Sequence, residues 1–379
     1  MEQTIDLRGM TWSDPRGYDP VVAAARVFAD RHPGLRITWD KRSLQGFEST
    51  PVDELAATYD LMIIDHPHVG AVADQGCLLP LDQHLPPETL AALASQTVGK
   101  SYGSYDYRGH QWAFPVDAAT QVQAIRADLL AAPVTRFEQV VDLASEGRVL
   151  WPLRPPHVLM SFFTLCANLG SPCAVVPGPV VARDTGATVL STMQRLADLV
   201  DPICHQMDPI ATLDMLSEGT RFVLVPLVYL YAPYARAGYR AHRIGFHDIP
   251  ALGRSGPLGS ALGGTGIAVS ARTQHPALCA EFAAWVASAE VQRGLYAEHN
   301  GQPGNAIAWA DEAVNDAVAG AYMNTRMSHE AAFLRPRHAG YMAFQEAGSH
   351  ILSEALQGKI TPAAALEALD LRFNESFDL

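Results

Sequence analysis

The sequence predicts an α/β protein of two lobes, built on mostly parallel sheets flanked by helices and closed by a helical C-terminal part. Three observations lead there. The 379 residues suffice for two separate cores. The first 82 residues alternate strand-like and helix-like segments in β-α-β-α-β order, the signature of an open, mostly parallel sheet. Finally, Tyr107-Arg-Gly-His-Gln-Trp-Ala-Phe-Pro-Val-Asp117 reads as a strand that stops at a proline and restarts, as a chain does on leaving one sheet for another.

The elements follow in order. Residues 4–12 alternate as a first strand, and Asp19-Pro20 has the cap-plus-proline pattern of a helix start running to about Arg31, ended before Pro33-Gly34. Residues 35–40 form a second strand. Leu61-Met-Ile-Ile-Asp65 is a short apolar run suited to a strand buried on both faces. A helix over 69–75 ends at Gly76. Pro115 removes a backbone donor, so a break in the ladder is expected at 115–118, making this stretch a crossing and a hinge. Beyond it, helices are expected at 137–144, 159–169, 189–200 and 210–218. Strands are expected at 148–152 and at 222–231, the latter despite Pro226. Residues 267–270 form a strand returning to the first lobe, with helices at 276–287 and 291–298. From Asp311 the chain is almost wholly helical, with Gly358 closing one helix and Thr361-Pro362 opening the last. The expected division is 1–116 for lobe one, 117–262 for lobe two, 263–310 for the return, and 311–379 packing across the lobes.

Composition narrows the function. A hydrophobic share of 48% and a charged share of 18% describe a globular chain, and the net charge of −13 with no Lys/Arg stripe argues against nucleic acid. No apolar run reaches the length of a membrane span. The five cysteines form no CxxC pair and read as small core residues. Met1-Glu-Gln-Thr-Ile-Asp6 has no basic and then apolar leader pattern. If Met1 is the native start, a cytoplasmic protein is expected; if a leader preceded it, a periplasmic or extracellular one.

Four segments carry a resemblance. Asp74-Gln-Gly-Cys-Leu-Leu-Pro-Leu-Asp82 is similar to a G-x-L-x-P-L-D element, and Tyr107 to Asp117 to a G-K-x-Y-G-L-P-x-D crossing. Leu262-Gly-Gly-Thr-Gly-Ile-Ala-Val-Ser270 is similar to a G-G-x-G-x-x-I-S return strand. Glu281-Phe-Ala-Ala-Trp-Val-Ala-Ser-Ala-Glu-Val-Gln292 is similar to an A-x-x-F-x-x-F-L-x-S-x-E-x-Q helix. In this order they resemble the ABC-transporter extracellular solute-binding proteins, of the group that includes sugar binders. The resemblance implies the type II periplasmic-binding-protein fold, two lobes hinged at 115–118 and 261–265 that close on a small polar ligand, a sugar or a carboxylate-bearing compound. It implies no cofactor and no metal, a permease as partner if the protein is exported, and a monomer. The same fold has been recruited for enzymes, thiaminase among them.

Ligands of open α/β sheets lie beyond the carboxyl ends of the strands. That rule nominates Trp12, Ser13 and Arg16 after the first strand, Arg42 after the second, Asp65 and His66 after the third, and Asp117 at the crossing. The second lobe supplies Trp151, Arg154, Tyr229 and Tyr231, and the return supplies Gly264 and Thr265. Trp12 and Trp151 either stack on a ring or are core aromatics, and the tyrosines either donate hydroxyls or pack. Arg16, Arg42 and Arg154 suit a ligand carboxylate held in a two-toothed grip. An enzyme on this fold would use Asp65, His66 and Lys41 for acid-base chemistry, and Cys204-His205 is a thiol-imidazole neighbour pair.

Overall fold

The computed structural model describes residues 4–44, 46 and 50–379. The chain divides into two compact units, Met1–Ala119 with Gly263–Asn315, and Thr120–Leu262 with Asp316–Leu379. Among the described residues lie the strands β1 (Ile5–Trp12), β2 (Leu35–Arg42), β3 (Leu61–Ile64), β4 (Asp106–Tyr107), β5 (His110–Gln111), β6 (Phe114–Ile125), β7 (Leu224–Tyr229), β8 (Gly245–His247) and β9 (Leu262–Val269). The unit boundaries fall inside β6, at the start of β9 and within the helix Glu312–Ala317.

In the first unit the strands lie in the order β2-β1-β3-β9-β6. β1 pairs with β2 and β3 in parallel, as the alternating strand and helix segments require, whereas β9 runs antiparallel to β3. The sheet is therefore mixed rather than mostly parallel, because β9 enters at the carboxyl end of β3, where Gly266 faces Ile64. All four residues of β3 are buried. Successive side chains of a strand point to opposite faces. Leu61 and Ile63 accordingly join a core with Leu7, Trp12, Phe28 and Phe282, while Met62 and Ile64 join another with Met10, Leu55 and Val72.

The first helix starts earlier than its sequence pattern suggests. It spans Pro15–Asp30, capped by Asp14, whose carboxylate accepts the Arg16 N–H at 2.9 Å, and Pro20 lies inside it. Asp14-Pro15 carries the same cap-plus-proline signal as Asp19-Pro20. The earlier site prevails because Gly17 lets the first turn lie flat on Trp12; a Cβ at Gly17 would stand 2.4 Å from that ring. The helix Val69–Gln75 closes on Gly76 at φ 61°, a left-handed terminator.

β6 runs unbroken through Pro115, contrary to the break expected there. The interruption comes sooner, at Trp112-Ala113 between β5 and β6. Pro115 is the second residue of its strand, a position where a missing N–H disturbs little. Pro226 acts differently. The β6–β7 ladder slips between Val122 and Ala124, opposite Pro226, so the proline is absorbed by a bulge.

In the second unit β7 and β8 both pair with β6, antiparallel. The strand expected at 148–152 is reduced to one parallel bridge, Val149 to Leu224, as the following Pro152 has no N–H to continue it. The helices Phe137–Ser145, His157–Asn168, Arg183–Ala197 and Pro209–Leu216 surround the strands. His157–Asn168 is buried on nearly every side, which explains an apolar run without helical periodicity. Residues 312–330 form three short helices, and Tyr341–Leu356 and Pro362–Glu375 two long ones, the last capped by Thr361. Among the described residues, no helix is long and apolar enough to cross a membrane.

Candidate functional site

The first unit gathers most of the nominated residues at one sheet edge. β1 and β2 end in register at Trp12 and Arg42, and β3 ends at Ile64, just before Asp65 and His66. Because β9 is antiparallel, its beginning, Gly264 and Thr265, reaches this same edge. Gly264 lies tight against Asp117: at φ 89°, a Cβ added there would stand 2.4 Å from the Asp117 carbonyl oxygen. Glycine is thus required by both backbone conformation and space.

Arg16 and Asp117 meet. Nε donates to Oδ2 at 2.7 Å and Nη2 to Oδ1 at 2.5 Å, both groups buried. The fork expected to grip a ligand carboxylate therefore grips one from its own chain. Burial pushes the Asp117 carboxyl up, against the pull of the Arg16 charge, and nearby Asp65 adds to the rise. Asp65 caps the turn His66–His68 by accepting the His66 N–H at 2.8 Å, and its Oδ1 lies 3.2 Å from His66 Nδ1. The His66 ring is wholly buried, edge-on to Tyr105.

The remaining nominations in this unit separate by burial. Trp12 is 3% exposed and a member of the core, which favours packing over stacking on a ligand. Ser13 is exposed, its N–H held by the Arg42 carbonyl at 2.8 Å. Arg42 is half-buried, and burial lowers its pKa. Thr265 is buried, and its hydroxyl has no hydrogen-bond partner among the described residues. Lys41 is exposed with its ammonium 4.4 Å from the centre of the Tyr18 ring, a cation–π contact.

In the second unit, Trp151 is a core residue. It is fully buried, and its indole N–H donates to Ser161 Oγ at 3.1 Å. Tyr231 is buried edge-on to Tyr234. Cys204 accepts the Trp151 N–H, and burial pushes its thiol up to about 11, so little thiolate exists near neutral pH to act as a nucleophile.

Arg154 and Tyr229 belong instead to a small polar group around a residue the sequence reading missed, His157. The Arg154 guanidinium reaches Asp208 at 3.4 Å, and its carbonyl accepts the His157 N–H at 2.9 Å. The His157 ring lies edge-to-face with Tyr229, centres 6.3 Å apart. It is 4% exposed, and its Nδ1 has no partner among the described residues. Burial lowers its pKa to about 4, with Asp208 opposing and Arg154 and Arg335 reinforcing the drop. The signal was a lone histidine after Pro155-Pro156 at the head of an apolar run. Starting that helix at 159 left it out.

Among the described residues, no group of three or more His, Cys, Asp or Glu side chains is placed to hold a metal ion. The sequence profile of the family described as bacterial extracellular solute-binding protein matches residues 23–321. No curated protein matches the chain by sequence. Similar solved structures cover it almost end to end. The GacH receptor of Streptomyces glaucescens GLA.O, solved unliganded and with acarbose, is 18% identical with a TM-score of 0.81, covering 100% of this chain and 99% of its own. An ABC-transporter solute-binding protein of Agrobacterium radiobacter K84 in complex with ribitol is 18% identical with a TM-score of 0.80, covering 98% and 99%. Maltose-bound MalE3 of T. maritima is 14% identical with a TM-score of 0.83, covering 97% and 98%. At such identities the likeness concerns the fold, which is the mixed α/β, two-lobed one.

Proposed function

This chain belongs to the bacterial extracellular solute-binding protein family, and from that premise we propose that it is the substrate-binding component of an ABC transporter whose ligand is a carbohydrate or polyol. The family match over residues 23–321 carries the reading. The ligand class draws on three structures of this fold whose ligands, acarbose, ribitol and maltose, are all rich in hydroxyls. Hydroxyl-rich ligands need many short hydrogen bonds from fixed groups. The edge bearing Ser13, Asp65 and Thr265 offers hydroxyls and a carboxylate of that kind. Its partners are then the small molecule and the permease of the transporter. We infer an extracytoplasmic setting from the family as well.

Thermal unfolding of the intact chain with maltose, acarbose and ribitol, followed by calorimetry and analysis of the recovered compound, tests this. At least one should raise the unfolding temperature and return unchanged. No shift with any sugar or polyol refutes the ligand class, and conversion of a bound compound refutes a pure binder.

A further inference from the structure

The first unit carries a concavity away from the edge proposed for the solute. It is an open cavity of about 620 Å³ between the end of the helix Pro15–Asp30 and the helices Pro87–Ser95 and Pro276–Ala287. That volume suits a small molecule. Its place follows from the topology. The helix Pro15–Asp30 starts beside the carboxyl end of β1 and brings Phe28, Arg31 and His32 to its far end, roughly 20 Å along its axis. There the His32 carbonyl holds the N–H of Leu35, the first residue of β2. The cavity therefore lies toward the amino end of the parallel strands, opposite the edge that bears Ser13 and Asp65.

Its lining selects for a cation with an apolar body. The buried residues Phe28, Leu93 and Ala284 make an apolar floor. His32 and Trp285 both pack on Phe28, with ring centres 4.1 and 5.4 Å away. The charges around this floor are two carboxylates, Glu88 and Glu281, against one guanidinium, Arg31. Arg31 already lies over the Trp285 ring, 5.2 Å from its centre, so an aromatic face here holds a cation.

His32 supplies the independent pointer. Its Nδ1 lies 2.8 Å from the Phe28 carbonyl oxygen, which can only accept, so Nδ1 carries the hydrogen. In the neutral ring Nε2 is then an acceptor, and it faces Glu281 Oε1 at 3.7 Å. Two acceptors at that spacing call for a donor that serves both. An ammonium group has three N–H donors and can do so, whereas a carboxylate has none.

We propose that this cavity is a second binding site, for an organic ammonium ion with a flat apolar body. The body rests on Phe28 and Trp285, and the ammonium donates to His32 Nε2 and Glu281. The site lies apart from the solute edge, and the carbohydrate reading and this one stand independently.

Calorimetry on the whole chain with tryptamine, indole and indole-3-acetate tests the proposal, because the three share a ring and differ in charge. Tryptamine should bind about tenfold tighter than either of the others. Glu281→Gln should weaken tryptamine about threefold to fivefold and leave indole unchanged. Arg31→Ala removes the resident cation and should tighten tryptamine instead. Ala92→Trp fills the cavity from its helix wall and should abolish binding. All three positions are exposed, so the variants should fold. No binding of tryptamine, equal binding of indole-3-acetate, or a tryptamine affinity unmoved by Ala92→Trp would overturn the second site. None of those results touches the carbohydrate reading, which maltose, acarbose and ribitol test by themselves.

Discussion

Arg16 and Asp117, 101 positions apart, close a buried two-toothed ion pair that ties the first turn of the helix Pro15–Asp30 to β6. Removing one partner of such a pair leaves a charge stranded without solvent. Arg16→Leu should therefore lower stability by about 3–5 kcal/mol, whereas the double change with Asp117→Leu should recover most of the loss. Urea unfolding of the three proteins decides it. An Arg16→Leu variant as stable as the parent would refute the pairing.

Gly264→Ala should destabilise by about 2 kcal/mol or more. The residue sits at φ 89°, and the new Cβ would meet the Asp117 carbonyl at 2.4 Å, an atom that cannot swing aside. Gly76→Ala is the control: its φ is 61° but no atom lies within 4 Å, so only the backbone penalty of about 1 kcal/mol should appear. Equal losses at the two sites would contradict the close approach of β9 to Asp117.

His157 makes stability depend on pH in a defined direction. Its pKa falls from 6.5 to about 4 in the folded chain, so the unfolded chain binds the proton more readily between those values. Stability from this residue is complete above pH 6.5 and is lost as pH falls toward 4. The loss reaches about 3 kcal/mol. Denaturant titrations at pH 7 and pH 4.5, on the parent and on His157→Gln, should show a smaller acid loss in the variant. An unchanged pH dependence would count against a buried neutral ring.

Asp65→Asn separates binding from folding. The amide oxygen can still accept the His66 N–H, so the cap survives, but the negative acceptor proposed for ligand hydroxyls is gone. Affinity for whichever sugar binds should fall roughly tenfold, on the order of 1.4 kcal/mol. The unfolding temperature should barely move. An undiminished affinity would remove Asp65 from the binding edge.

All five thiols are buried, and burial pushes Cys77 and Cys204 up to about 11, Cys279 up to about 12, and Cys166 and Cys173 upward as well. Ellman's reagent at pH 8 should leave the native chain nearly unlabelled and count five thiols in denaturant. Rapid labelling of Cys204 in the native protein would revive a nucleophilic role for it.

The readable parts of this protein are those fixed by local patterning. β3 announced itself as an uninterrupted apolar run, the last helix through Thr361-Pro362, and the family through four ordered motifs. Local reading misplaced elements where two equivalent signals competed, as at Asp14-Pro15 and Asp19-Pro20, and where a proline was absorbed by its position, as at Pro115 and Pro226.

The sequence by itself determined the class of the fold, the family, and the strand ends at which polar residues would collect, because periodicity, caps and motif order are written along the chain. Only the tertiary structure decided what those residues touch. It turned Arg16 from a hand for the ligand into the partner of Asp117, placed Trp151 in the core, set β9 antiparallel, and brought His157 beside Tyr229. Each of those outcomes depends on a contact between distant residues or on burial, and neither burial nor distance in space is a property of neighbours along the chain.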